Sequence, residues 1–138
     1  MEYLVYVSTA KRLMNEEELL DILTVARTQN KVHHITGMLL YSQGTFIQVL
    51  EGEKDNLSQL FKNIELDTRH KNVIKLMTGT INQRNFPDWL MAFASVNAET
   101  LQAFEGFLNP IDPSFLGSND HVTANMLKIF AKANNLTY

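Results

Sequence analysis

The sequence has no cysteine. That excludes a disulfide scaffold, thiolate catalysis and thiolate-bound zinc or iron–sulfur clusters. A surplus of one charge is also missing: twelve basic residues face fifteen acidic ones, for a net charge of −3. This argues against a protein whose task is to coat phosphate backbones, so no direct nucleic-acid partner is expected. No apolar run approaches bilayer-spanning length, and the start carries no basic segment ahead of an apolar stretch. A cytoplasmic protein without a membrane partner is the expectation. There is no internal repeat, no G-x-x-x-x-G-K-[ST] phosphate loop and no G-x-G-x-x-G fingerprint. Ser8 has no G-x-S-x-G context. His33 and His34 are adjacent, which suits neither a helix face nor a strand face, and His70 and His121 are remote, so no metal site is expected. What is present is 138 residues with 45% apolar content, enough for one domain with its own core.

The order of elements is informative. Residues 2–8 are β-branched and aromatic and read as a buried strand. Asn15 with Glu18 three residues later forms a capping-box pattern, and the helix it opens carries Leu19, Leu20, Ile22, Leu23 and Ala26 before ending near Gln29. Residues 35–42 and 45–51 read as a hairpin turning at Gln43-Gly44. Leu57, Leu60, Phe61 and Ile64 mark a helix over 54–66, and residues 73–81 and 90–96 read as strands. The pattern β-α-β-β-α-β-β predicts an α+β, ferredoxin-like mixed sheet with two helices on one face. Right-handed crossing places the first and third strands at its centre, leaving the order of the outer strands open. Residues 1–96 form this body and residues 97–138 a C-terminal helical extension. In that extension Asn97 is placed to cap one helix, and Val122, Met126, Ile129, Phe130 and Ala133 share a side of the last.

Some residues do not fit a purely structural pattern. Gln48 sits among Phe46, Ile47, Val49 and Leu50, where an unpaired amide costs about 1–3 kcal/mol. Tyr6 lies in the strand expected alongside. The two make either a structural hydrogen bond or a pair held beneath a bound ligand that accepts a hydrogen bond. Asn30 reads as a left-handed C-cap of the first helix, or as an amide that meets a ligand edge. Asp67, Arg69 and His70 at the end of the second helix form either a solvated helix end or an anion- or carbonyl-binding group. Trp89 and Met91 alternate with Leu90 and share a face, as core filling commonly does.

Taken together, Leu4-Val5-Tyr6-Val7-Ser8, Gln29-Asn30, Ile35-Thr36-Gly37-Met38, Phe46-Ile47-Gln48-Val49-Leu50-Glu51-Gly52, Asp67-Thr68-Arg69-His70 and Trp89-Leu90-Met91 resemble the BLUF domains, blue-light sensors that use flavin. Leu90 departs from the resemblance, standing where the family more often has a small residue. The resemblance spans about residues 3–96 and implies a noncovalent flavin, usually FAD, with FMN or riboflavin as alternatives. The missing thiol agrees with that, since the other common flavin photosensors form a cysteinyl adduct.

By the same resemblance Tyr6 is an electron donor and Gln48 stands between its phenol and the flavin. Asn30, Asp67, Arg69 and His70 hold and surround the ring, and Trp89 and Met91 carry the signal. It implies a photoreceptor rather than an enzyme, acting on a downstream signalling protein, and a homo-oligomer. A small hydrolase or flavin reductase on the same scaffold is the competing expectation. A ferredoxin-like RNA-binding module is a further one, disfavoured by the charge and by the lack of an aromatic basic strand motif.

Overall fold

In a computed structural model of the chain, residues 1–12, 15–87, 89–93 and 121–133 are described. The chain runs β1 (Glu2–Ala10), α1 (Glu16–Val32), β2 (Thr36–Ser42), β3 (Thr45–Gly52), α2 (Lys54–Leu66), β4 (His70–Thr80), β5 (Trp89–Phe93) and a further helix, here α3 (Val122–Ala133). The five strands form one sheet in the order β4-β1-β3-β2-β5. β1, β3, β2 and β4 pair antiparallel, and β5 joins β2 in parallel. β1 and β3 are therefore central, as a split βαβ unit requires, and the outer order left open by the sequence is settled. The expected boundary near residue 97 and the helix after Asn97 lie outside the described residues.

Local chemistry explains the element ends. The Asn15 side chain accepts from the Glu18 N–H at 2.9 Å, the Glu18 carboxylate reaches back to the Asn15 N–H at 3.4 Å, and Arg12 pairs with Glu18 at 2.7 Å. This is the capping box foreseen from the sequence. Gln43 (φ 45) and Gly44 (φ 88) both take positive φ, as a two-residue hairpin turn demands. α1, however, runs beyond Gln29 to Val32 and is closed by His33, with His34 in the left-handed region at φ 54. Asn30 is thus inside the last helical turn, where its backbone carbonyl accepts from the Ile35 N–H at 2.8 Å. The capping role considered for it falls to the two histidines.

β1, β2 and β3 are buried on both faces, whereas β4 is half-exposed or exposed along its length. On one, Leu4, Tyr6, Leu50 and Ile35 pack against Leu57 and Phe61 of α2. On the other, Val5, Met38, Leu40, Ile47, Val49 and Phe86 pack under Ala124, Leu127 and Ala131 of α3. That last helix buries a face rotated from the expected one, with Val122 and Ile129 left 41% and 69% exposed. Ala124, Leu127 and Ala131 are buried against the sheet with Met126 and Phe130 partly buried beside them, and Ile129 turns outward. No helix among the described residues is long and apolar enough to cross a membrane.

Candidate functional site

Between α1 and α2, above the sheet, lies a cavity of about 270 Å³, close to the ~300 Å³ at which small-molecule sites begin. Its wall contains Tyr6, Asn30, Gln48, Asp67, Arg69 and His70. Strand register explains the first meeting. Tyr6 pairs with Gln48 across β1 and β3, so both side chains emerge on the helix-covered face. The Tyr6 hydroxyl donates to Gln48 Oε1 at 2.6 Å, and both residues are about 95% buried. With its carbonyl engaged, the amide has its NH₂ end to offer a ligand. Burial, and next the negative charge of Asp67, push the Tyr6 phenol well above the usual tyrosine range, so it stays a donor at neutral pH. Its ring stacks on Phe61 at 5.8 Å, and the Lys75 ammonium covers Phe61 from 4.7 Å.

His70 is fixed at both nitrogens. Nε2 meets the Ile64 carbonyl, which only accepts, so Nε2 carries the proton; in the neutral ring Nδ1 then accepts from the Ser8 hydroxyl at 2.8 Å. His70 thereby caps a last-turn carbonyl of α2. The Ser8–His70 pair superficially suits the hydrolase reading. Ser8, however, is only 2% exposed and is absent from the cavity wall, so no substrate there reaches its oxygen.

Arg69 and Asp67 form a bidentate pair, with Nη2–Oδ2 at 2.6 Å and Nε–Oδ1 at 3.0 Å. Those hydrogen bonds hold the Asp67 carboxyl below the usual carboxylate range and raise Arg69 further. Among the described residues no group of three or more His, Asp or Glu is arranged to hold a metal.

The helices contribute lining residues that the sequence reading passed over. Ile22, Ala26 and Gln29 on α1 and Asn56, Gln59 and Asn63 on α2 belong to the wall as well. Their spacing of three and four residues is the signal. Ile22 and Ala26 were assigned to an apolar core stripe, yet they remain half-buried because they face a hollow. Trp89 and Met91 are placed by their backbones. Met91 pairs with Leu39, which pairs with Gln48, whereas Trp89 pairs with Gly37 one row along. One row of partners, Lys75–Tyr6–Gln48–Leu39–Met91, thus crosses all five strands.

Residues 1–92 match the family described as sensors of blue light using FAD, BLUF. The chain belongs to the BLUF family. As a BLUF protein it is a blue-light sensor whose domain binds flavin, and the matched segment is a sensory rather than a catalytic one. It is 31% identical over 134 residues to photoactivated adenylate cyclase subunit beta of Euglena longa, covering 96% of this chain and 16% of that protein. Its fold resembles BlrB, a BLUF protein in its dark state, with a TM-score of 0.65 and 29% identity, covering 95% of this chain and 96% of BlrB. Klebsiella pneumoniae BlrP1 superposes with a TM-score of 0.71 at 27% identity, covering 95% of this chain and 34% of that one. The chain therefore spans a minor part of the cyclase and nearly all of BlrB.

Proposed function

We propose that the cavity between α1 and α2 holds FAD and that this BLUF body, residues 1–96, converts blue light into a hydrogen-bond change at Gln48. The Tyr6–Gln48 hydrogen bond of 2.6 Å on the cavity wall carries this reading. The donor set suits a flat ring with polar edges. Ile22, Leu39, Leu60 and Ile64 offer aliphatic surface for its faces. The Asn30 and Gln48 amides and the Asp67–Arg69 pair offer donors and acceptors for its edges, with His70 packed beside them.

Bound and excited by blue light, the flavin supplies a strong oxidant. Tyr6, on the cavity wall, would be the electron donor to it. A phenol that loses an electron becomes a strong acid, and the Tyr6 proton already points at Gln48 Oε1, so it moves along that bond. Gln48 would relay the proton toward the ring that took the electron, and the return of both electron and proton to Tyr6 would leave the amide rotated or as its tautomer, because the two ends of an amide have similar shapes and opposite hydrogen-bonding roles. The changed Gln48 amide presents a donor to the chromophore edge and produces a red-shifted absorption. The chain makes no covalent bond and consumes no substrate, so it acts as a switch.

From Gln48 the change passes to Leu39 and to β5, the strand of Trp89 and Met91, and then to residues 97–138, which hand it to a downstream signalling protein or a second copy of this chain. The test is a difference spectrum of the flavin-loaded protein before and after blue illumination, then recovery in darkness. A reversible red shift is expected. A colourless protein unable to take up added FAD, FMN or riboflavin would refute the reading.

A further inference from the structure

Glu51 touches no part of the cavity, yet it is fully buried. It lies on β3 three residues beyond Gln48, on the sheet face under α3. Its two oxygens hold the loop that leads to β5. Oε2 accepts from the Asn85 N–H at 2.9 Å and the Asn85 amide at 3.2 Å, and Oε1 accepts from the Phe86 N–H at 2.6 Å. Arg84 completes the tie by donating to Thr36 Oγ1 at 2.6 Å, the Glu51 carbonyl at 2.8 Å and the His34 carbonyl at 2.6 Å. Three elements converge there: the end of β3, the start of β2 and the residues before Trp89.

A buried carboxylate is an expensive anchor unless its lone pairs are filled. Phe86, fully buried beneath α3, would by itself fix the loop's position in the core. The carboxylate adds something a hydrophobic anchor lacks. Two oxygens capture two successive backbone N–H groups, which fixes backbone direction as well as depth. The strand that follows needs this, since β5 has five residues and, among the described strands, pairs only with β2. A short edge strand with one neighbour opens locally at low free-energy cost unless its entry is held.

We propose that Glu51 is a positioning residue for the light response. It ties β3 to the loop before β5, so that β5 keeps the register setting Met91 in the row of Gln48, and a change at Gln48 reaches β5 instead of dissipating in a frayed edge. This rests on the flavin-sensor reading. Glu51→Gln tests it, because an amide keeps the shape but has one accepting oxygen for two N–H groups.

Amide hydrogen exchange of residues 89–93 and the absorption spectrum are measured on the flavin-loaded full chain, in darkness and under blue light. Both proteins should show the red shift. In the wild type, light should change β5 exchange about five-fold, which is ~1 kcal/mol at 1.4 kcal/mol per decade. In Glu51→Gln, β5 should exchange faster in the dark and no longer respond to light. Arg84→Met, which releases the same loop without disturbing the buried carboxylate, should behave alike and serves if Glu51→Gln does not fold. A wild-type light response of β5 in the variants would overturn the role of Glu51, as would a wild-type β5 indifferent to light. Absence of any red shift in the wild type would instead overturn the sensor reading itself.

Discussion

At Tyr6 a single buried hydroxyl ties β1 to β3 through Gln48, and on the proposed reading the same bond serves the photochemistry, so one substitution tests both. Tyr6→Phe leaves the Gln48 carbonyl without its donor inside a buried sheet, a loss of about 1–3 kcal/mol measurable by chemical denaturation. The variant should still bind flavin and should lose the normal red-shifted state; wild-type photoconversion would show that another donor suffices. Alkali offers an independent check. The Tyr6 phenol is raised by burial, so above the ordinary tyrosine value of ~10 the folded state holds a proton that the unfolded state releases. That contribution is fully present below pH ~10 and is lost as pH rises beyond it, so Tyr6→Phe should flatten the alkaline fall in melting temperature. Gln48→Leu should likewise keep flavin and abolish the red shift, and an unaltered photocycle would remove Gln48 from the mechanism. Gln48 was legible in the sequence because an amide amid four apolar neighbours has to find a partner. Asn30 was only half legible: its residue type fits a helix cap, and nothing local reveals that α1 continues past it to His33.

At the scale of elements, the hairpin and α2 could be read almost to the residue, since both are set by nearby chemistry. Gln43-Gly44 dictates its turn, and Leu57 and Phe61 dictate the buried side of α2. β4 begins at His70 rather than near Val73, because its first residues are held by pairing with Thr9 and Ala10, which lie sixty residues earlier in sequence. The Glu51 and Arg84 ties were invisible for the same reason. Gly37 makes a close approach that the sequence did not flag. A side chain there would meet the Val49 carbonyl oxygen at 1.9 Å, with the Val49 carbonyl carbon at 2.9 Å and Leu50 Cα at 3.2 Å, all backbone of β3. Gly37→Ala should therefore push β2 away from β3 and cost about 1–3 kcal/mol, read as a lowered urea midpoint with an unchanged slope. A midpoint equal to wild type would show that the sheet yields at that point without cost.

Over the whole molecule, α3 closes the sheet face opposite the cavity. The sequence showed an amphipathic helix there without showing whether it would cover the sheet or face a partner, and its buried stripe was read a fraction of a turn away. Of the expected side, Met126 and Phe130 do pack against the core, while Val122 and Ile129 face outward and Ala124, Leu127 and Ala131 take the most buried positions. Leu127, fully buried between them, is the test: Leu127→Ala should cost about 2–5 kcal/mol if the helix is part of the core. A cost within ~0.5 kcal/mol would mean that the helix rests on the surface.

The row of partners through Gln48 reaches from one rim of the sheet to the other, about 19 Å over four inter-strand steps. On the proposed reading, a body that abuts either rim is joined to the central amide by an unbroken row of paired residues and need not approach the pigment. On that reading, output would be re-addressed by altering what borders the rim while the photochemical centre keeps its composition, the same body serving beside different neighbours.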